Sequence, residues 1–182
     1  MVFGIQHLIF FMYAKVYQTI IDKGNGNCMQ AALASLFNLE LDDVPHFLSY
    51  GNDCFKVWHK FISDQGYKEN GMLFNKNYNR LLAPTHSCFN EEKWYKPGIL
   101  TITNLKKHSG VNGFFYATVL SPKYFNYNDG FLNCHAVIID TNCNIVHDPN
   151  PEYEKILKYP LADLLKYNGI IDVTLIKKCA NV

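Results

Sequence analysis

The residues best suited to chemistry in this chain are one cysteine and a later histidine–aspartate pair. Cys28 follows Gly24-Asn25-Gly26-Asn27, a strong turn signal, and precedes Met29, Ala32, Leu33, Leu36 and Phe37, which recur at helical spacing. Cys28 is therefore expected to open an amphipathic helix, off its apolar stripe. A helix N-terminus carries partial positive charge and unpaired backbone N–H groups, so it favours thiolate over thiol. The same N–H groups can stabilise an oxyanion when sulfur attacks a carbonyl. Cysteine more often serves as a small buried hydrophobe. The turn–helix junction argues for the nucleophile.

A thiolate nucleophile needs a base within hydrogen-bond reach, and the base needs an orienting acceptor. Seven histidines are present, at 7, 46, 59, 86, 108, 135 and 147. His135 begins the apolar run Ala136-Val137-Ile138-Ile139, which would hold its ring on a sheet. Asp148 follows thirteen positions later, just past a second short apolar segment, Ile145-Val146. Two antiparallel strands joined by a tight turn bring the start of one beside the end of the next, so the spacing is compatible with a His135–Asp148 pair. The plainer alternative is a surface histidine and a turn-forming aspartate before Pro149.

The elements that must position these groups follow from periodicity. Lys15 to Ile21 reads as extended. The helix after Cys28 stops near Asn38, and Asp43 is expected to cap a short turn at Val44-Pro45. Asp53 to Gln65 is a second helix, with Cys54, Trp58, Phe61 and Ile62 on one face and Gly66 closing it. Strands are expected at 98–103, 114–120, 134–140, 144–147 and 171–176, with a turn at Thr141-Asn142 and a short helix within Pro160 to Tyr167. Helices first and an antiparallel sheet afterwards describe an α+β domain. No linker or repeat divides the 182 residues, which read as a single domain. The apolar stretch Met1 to Met12 is too short to span a bilayer and lacks signal-peptide features. It reads as a buried element, or as sequence preceding a natural start at Met12.

The segments GNCMQAALASLFNLELDDVPHF (26–47) and CHAVIIDTNCNIVHDPNP (134–151) together resemble the two catalytic blocks of papain-like cysteine peptidases. They are most similar to the double-glycine (bacteriocin-leader) peptidases and their small stand-alone bacterial and phage relatives. In that family a cysteine opens a helix rich in small residues, and a His-x-Val-Val strand, a hairpin and an Asp-Pro follow. The corresponding elements here are Cys28, His135-Ala136-Val137-Ile138 and Asp148-Pro149. The blocks cover under a quarter of the chain. The resemblance implies a papain-like fold and a Cys28–His135–Asp148 triad. It also implies a glutamine upstream of the nucleophile whose amide donates to the oxyanion. Gln18 is the best match, at an interval of ten residues that exceeds the family's, whereas Gln30 lies inside the helix. His147 could compete as the base, and Asn150 could replace Asp148 as the orienting group. Cys134 reads as core packing. No transporter or nucleotide-binding segment accompanies the blocks.

Composition narrows the function. A formal net charge of +1 and scattered Lys and Arg give no electrostatic basis for binding nucleic acid or an anionic membrane. The six cysteines, at 28, 54, 88, 134, 143 and 179, show no C-x-x-C spacing. Cys143 and His147, with Cys134 and His135 nearby, lack a matched second half, so neither metal nor cofactor is expected. With no signal-peptide features and no dense cysteine framework, a cytoplasmic protein with reduced thiols is expected. The expected activity is amide or peptide hydrolysis on a peptide or protein substrate. An acyltransferase or glutamine deamidase with the same triad, or a non-catalytic binding module retaining the fold, are the alternatives. The stretches Met72 to Tyr95 and Ser121 to Asp129 are expected to line the cleft.

Overall fold

A computed structural model describes residues 14–22, 24–78, 97–124, 134–153, 155–156 and 158–180. Met1 to Met12, the greater part of Met72 to Tyr95, and the loop from residue 125 onward to 133 lie outside the described residues. The architecture is α+β, with several helices and a mixed six-stranded sheet.

Helix α1 spans Cys28–Phe37 and ends on Asn38, whose left-handed backbone (φ 57°) lets its N–H reach back to the carbonyls of Ala34 and Ser35. Helix α2 spans Cys54–Asp64, and Gly66 follows with a positive φ of 78°. Its buried side chains are the expected Cys54, Trp58, Phe61 and Ile62. Asp43 does not cap the following turn. It closes a single 3-10 turn, Leu41–Asp43, because the Val44 N–H bonds back to the Leu41 carbonyl.

The strands are β1 (Tyr67–Phe74), β2 (Pro97–Ile99), β3 (Phe115–Leu120), β4 (Cys134–Ile139), β5 (Ile145–His147) and β6 (Ile170–Lys178), arranged β2-β1-β6-β3-β4-β5. The pairing is antiparallel except between β1 and β2, so the expected purely antiparallel sheet is corrected to a mixed one. The strand expected at 98–103 is shorter than its apolar content suggested. Thr101 ends it by accepting from the Asn104 N–H at 3.0 Å and so starts the helical turn Ile102–Leu105. The short helix expected within Pro160 to Tyr167 is the single turn Ala162–Leu165.

Both sheet faces are covered. Tyr116, Ala136, Ile138 and Ile176 pack with Leu33, Leu36, Trp58, Phe61 and Ile62 of α1 and α2. Their neighbours along the strands, Phe115, Ala117, Val119, Val137, Ile139 and Val173, pack on the opposite side with Leu100, Leu105 and Tyr159. Burial on two faces explains the continuous apolar runs of β3, β4 and β6. It also makes β4 a rigid rail for the residue near its start, His135.

Candidate active site

The turn into Cys28 is held by backbone bonds. The Gly26 N–H donates to the Asp22 carbonyl at 3.1 Å, and the Asn27 N–H to the Ile20 carbonyl at 3.2 Å. A Cβ on Gly26 would lie 3.0 Å from the Asp22 carbonyl oxygen, so this close approach favours glycine. Cys28 emerges half-buried as the first residue of α1.

His135 lies opposite Val119 in the β3–β4 ladder and is 5% exposed. Strands β4 and β5 are joined by the turn at Thr141-Asn142, where the Asp140 side chain accepts from the N–H groups of Asn142 and Asn144 at 2.8 and 2.9 Å. Cys143 completes the turn in the left-handed conformation (φ 64°), as in three-residue hairpin loops with a bulge. The pairing Ile138↔His147 then carries the chain back along β4 and delivers Asp148 to His135. His135 Nε2 lies 2.6 Å from Asp148 Oδ1.

The Cys28 thiol lies against the His135 side chain and the Ala136 backbone, and both favour its ionised form. Since Nε2 faces Asp148, Nδ1 is the ring nitrogen left for sulfur. Burial pushes the Cys28 thiol up, and Asp148 adds to that. The His135 hydrogen bond and charge, with the Ala136 contact, outweigh both, so the net displacement is downward. Burial pushes His135 down, but its bonds to Asp148 and Cys28 carry it well above the ordinary imidazole range. The two directions agree on a thiolate–imidazolium pair.

Asp148 accepts from two further donors. Oδ1 also accepts the Asn150 N–H at 2.7 Å, and Oδ2 accepts the buried Tyr159 hydroxyl. Burial and the Asp148 charge both push the Tyr159 phenol upward, which keeps it a donor. Asn150 does not take over as the orienting group: its Oδ1 accepts from the Glu152 N–H. His147 Nε2 donates to the Val16 carbonyl at 2.8 Å, which fastens the extended segment rather than facing Cys28. Gln30 bonds the Leu41 and Val44 carbonyls.

Gln18 is 8% exposed, and its N–H donates to the Pro149 carbonyl at 2.9 Å, next to Asp148. Its Oε1 is enclosed, which leaves the amide nitrogen as the polar atom available to donate outward. Gln18, Cys28 and His135 line one cleft of about 120 Å³ with Ser121, Asn150 and Tyr153. The Tyr153 ring meets His135 edge-on at 5.5 Å. Of the loops expected to line the cleft, Ser121 and Tyr124 do so, whereas the described Met72–Tyr78 stretch does not. Cys134 is not core packing: as the first residue of β4 it is exposed and borders this same cleft.

The supporting contacts of Tyr159 and Asn27 were not among the expected site residues. Tyr159 carries no motif, and Asn27 reads in sequence only as part of a turn. Among the described residues, no group of three or more His, Cys, Asp or Glu side chains could hold a metal ion, and no helix is long and apolar enough to cross a membrane. No family model matches the chain, nor does any curated protein or solved structure.

Proposed function

We propose that this chain is a papain-like cysteine hydrolase that cleaves an amide bond of a peptide or protein through a thioester acyl-enzyme. The observation that carries the reading is the buried His135–Asp148 pair beside the half-buried Cys28, where both Cys28 and His135 border one cleft at the N-terminus of a helix. The Cys28 sulfur attacks the carbonyl carbon, and the oxygen takes the negative charge. In this reading the Cys28 N–H at the helix start and the Gln18 amide donate to that oxygen. The imidazolium of His135 protonates the departing amine as the C–N bond breaks, leaving the acyl group on sulfur. His135, now neutral, takes a proton from water, whose oxygen displaces the sulfur and releases the acid. Asp148 fixes the tautomer and stabilises the imidazolium throughout.

The test is acylation by p-nitrophenyl acetate, followed by assays on a denatured protein and on a glutamine-containing peptide. The parent should form a thioester on Cys28, detected by mass spectrometry, and release new amino termini. Cys28→Ala should lose turnover by about 10⁴-fold or more with its fold intact. Ammonia release without chain cleavage would make it a deamidase, and transfer to an added amine an acyltransferase. A parent that neither acylates nor cleaves is a binding module, and the hydrolase reading fails.

A further inference from the structure

Asn27, one residue before the candidate nucleophile, is 2% exposed and occupies the N-cap position of α1. Asparagine is favoured there because its side chain can bond the first free N–H groups of the helix. Here it makes no such bond. The side chain turns instead to the segment that carries Gln18. Its Oδ1 accepts from the Thr19 and Ile20 N–H groups at 3.0 and 2.9 Å. Its Nδ2 donates to Thr19 Oγ1 and to Gln30 Oε1, both at 3.1 Å. Both lone pairs and both N–H groups of the amide are thereby used. Gln30 passes the restraint on through the Leu41 and Val44 carbonyls, at 2.9 and 2.8 Å.

We infer that Asn27 is a positioning residue that holds the Gln18 amide and the α1 N-terminus in one oxyanion-binding frame. The inference rests on the cysteine-hydrolase reading above. Three features make this side chain suited to the role. The residues it clamps, Thr19 and Ile20, directly follow Gln18. It lies directly before Cys28, so one side chain fixes the separation between the two proposed donors. By declining to cap α1, it leaves the first helical N–H groups for an anion. The sulfur is held separately, by His135 and the Ala136 backbone. Loss of Asn27 should therefore misplace the oxyanion donors and spare the thiolate. Displacements near 1 Å in a reacting site can cost about 100-fold in rate.

The experiment compares two reactions of Cys28 in the full chain. Alkylation by iodoacetamide needs the thiolate and no oxyanion, whereas acylation by p-nitrophenyl acetate needs both. Asn27→Ala should slow acylation by about 10-fold or more and leave alkylation within about 2-fold of the parent, the Cys28→Ala chain serving as the blank. The double variant Gln18→Ala with Asn27→Ala should lose less than the two single losses multiplied together, because Asn27 acts in part through the Gln18 donor. If Asn27→Ala does not fold, as judged by circular dichroism, Asn27→Ser carries the same comparison with a shorter acceptor. Unchanged acylation, or acylation and alkylation falling together, would overturn the positioning role. A parent inert to both reagents would instead overturn the hydrolase reading on which it rests.

Discussion

His135 Nε2 and Asp148 Oδ1 lie 2.6 Å apart, between side chains that are 6% and 2% exposed. The contact joins the start of β4 to the residue after β5, and it is enclosed by the Tyr159 hydroxyl and the Asn150 N–H. A charged hydrogen bond shielded from water in this way is stronger than one at the surface. It commits Nε2 to the carboxylate and turns the other ring nitrogen to sulfur.

Asp148 should tolerate an amide better than truncation. Asp148→Asn keeps an oxygen that can accept from His135 but loses the charge that favours imidazolium. Asp148→Ala removes both and leaves the Tyr159 hydroxyl without its acceptor. Turnover of an ester substrate should fall in the order parent, Asn, Ala. An Ala variant faster than the Asn variant would show that the carboxylate does not orient His135.

The two neighbouring histidines should separate cleanly. His135→Ala removes the proposed base and should be as damaging as Cys28→Ala. His147→Ala removes a bond to the Val16 carbonyl and should act mainly on stability, by about 1 kcal/mol for the hydrogen bond itself. Activity and denaturant midpoints measured on both variants check this. The reverse ranking in activity would move the base to His147.

Much of this site can be read along the chain, because its parts are local. The glycine–asparagine turn, the helical stripe after Cys28 and the two apolar segments around Thr141-Asn142 are short-range signals. They suffice to place Cys28 at a helix start and Asp148 beside His135. The parts that escape depend on distant partners. Strand β1 reads Tyr-Lys-Glu-Asn-Gly-Met-Leu-Phe, with polar residues in its first half and a glycine at its centre, and it pairs irregularly with β6 between Glu69 and Met72. Its strand character comes from the ladder rather than from propensity. Tyr159 reaches Asp148 from outside any motif, through packing against the far face of the sheet. Cys134 heads an apolar strand and so reads as core, yet it lies at the strand's open end, where it is exposed and borders the cleft.

Tyr159→Phe tests the support behind Asp148. The ring stays in the core, but a buried carboxylate oxygen loses its hydroxyl donor. Hydrogen bonds to charged groups are worth about 1.5–3 kcal/mol, so the unfolding free energy should drop by about that much. Activity should fall less than in Asp148→Ala, because His135 keeps its acceptor. A Phe variant as stable as the parent would show that the hydroxyl contributes nothing to the relay.

If His135 holds Cys28 as a thiolate, the pH dependence of Cys28 alkylation will show it. Iodoacetamide reacts with the thiolate, so a depressed thiol value moves the rising limb of the rate to lower pH. With His135 present, Cys28 should alkylate at a lower pH than an ordinary cysteine does, ahead of Cys54 and Cys143, whose burial pushes them upward. In His135→Ala the lowering bond and charge of His135 are gone, while burial and the Asp148 charge outweigh the remaining Ala136 contact, so the limb should move above the ordinary cysteine range. Peptide mapping by mass spectrometry assigns each rate to its cysteine. A Cys28 limb at the ordinary value in the parent, unmoved by His135→Ala, would contradict the account.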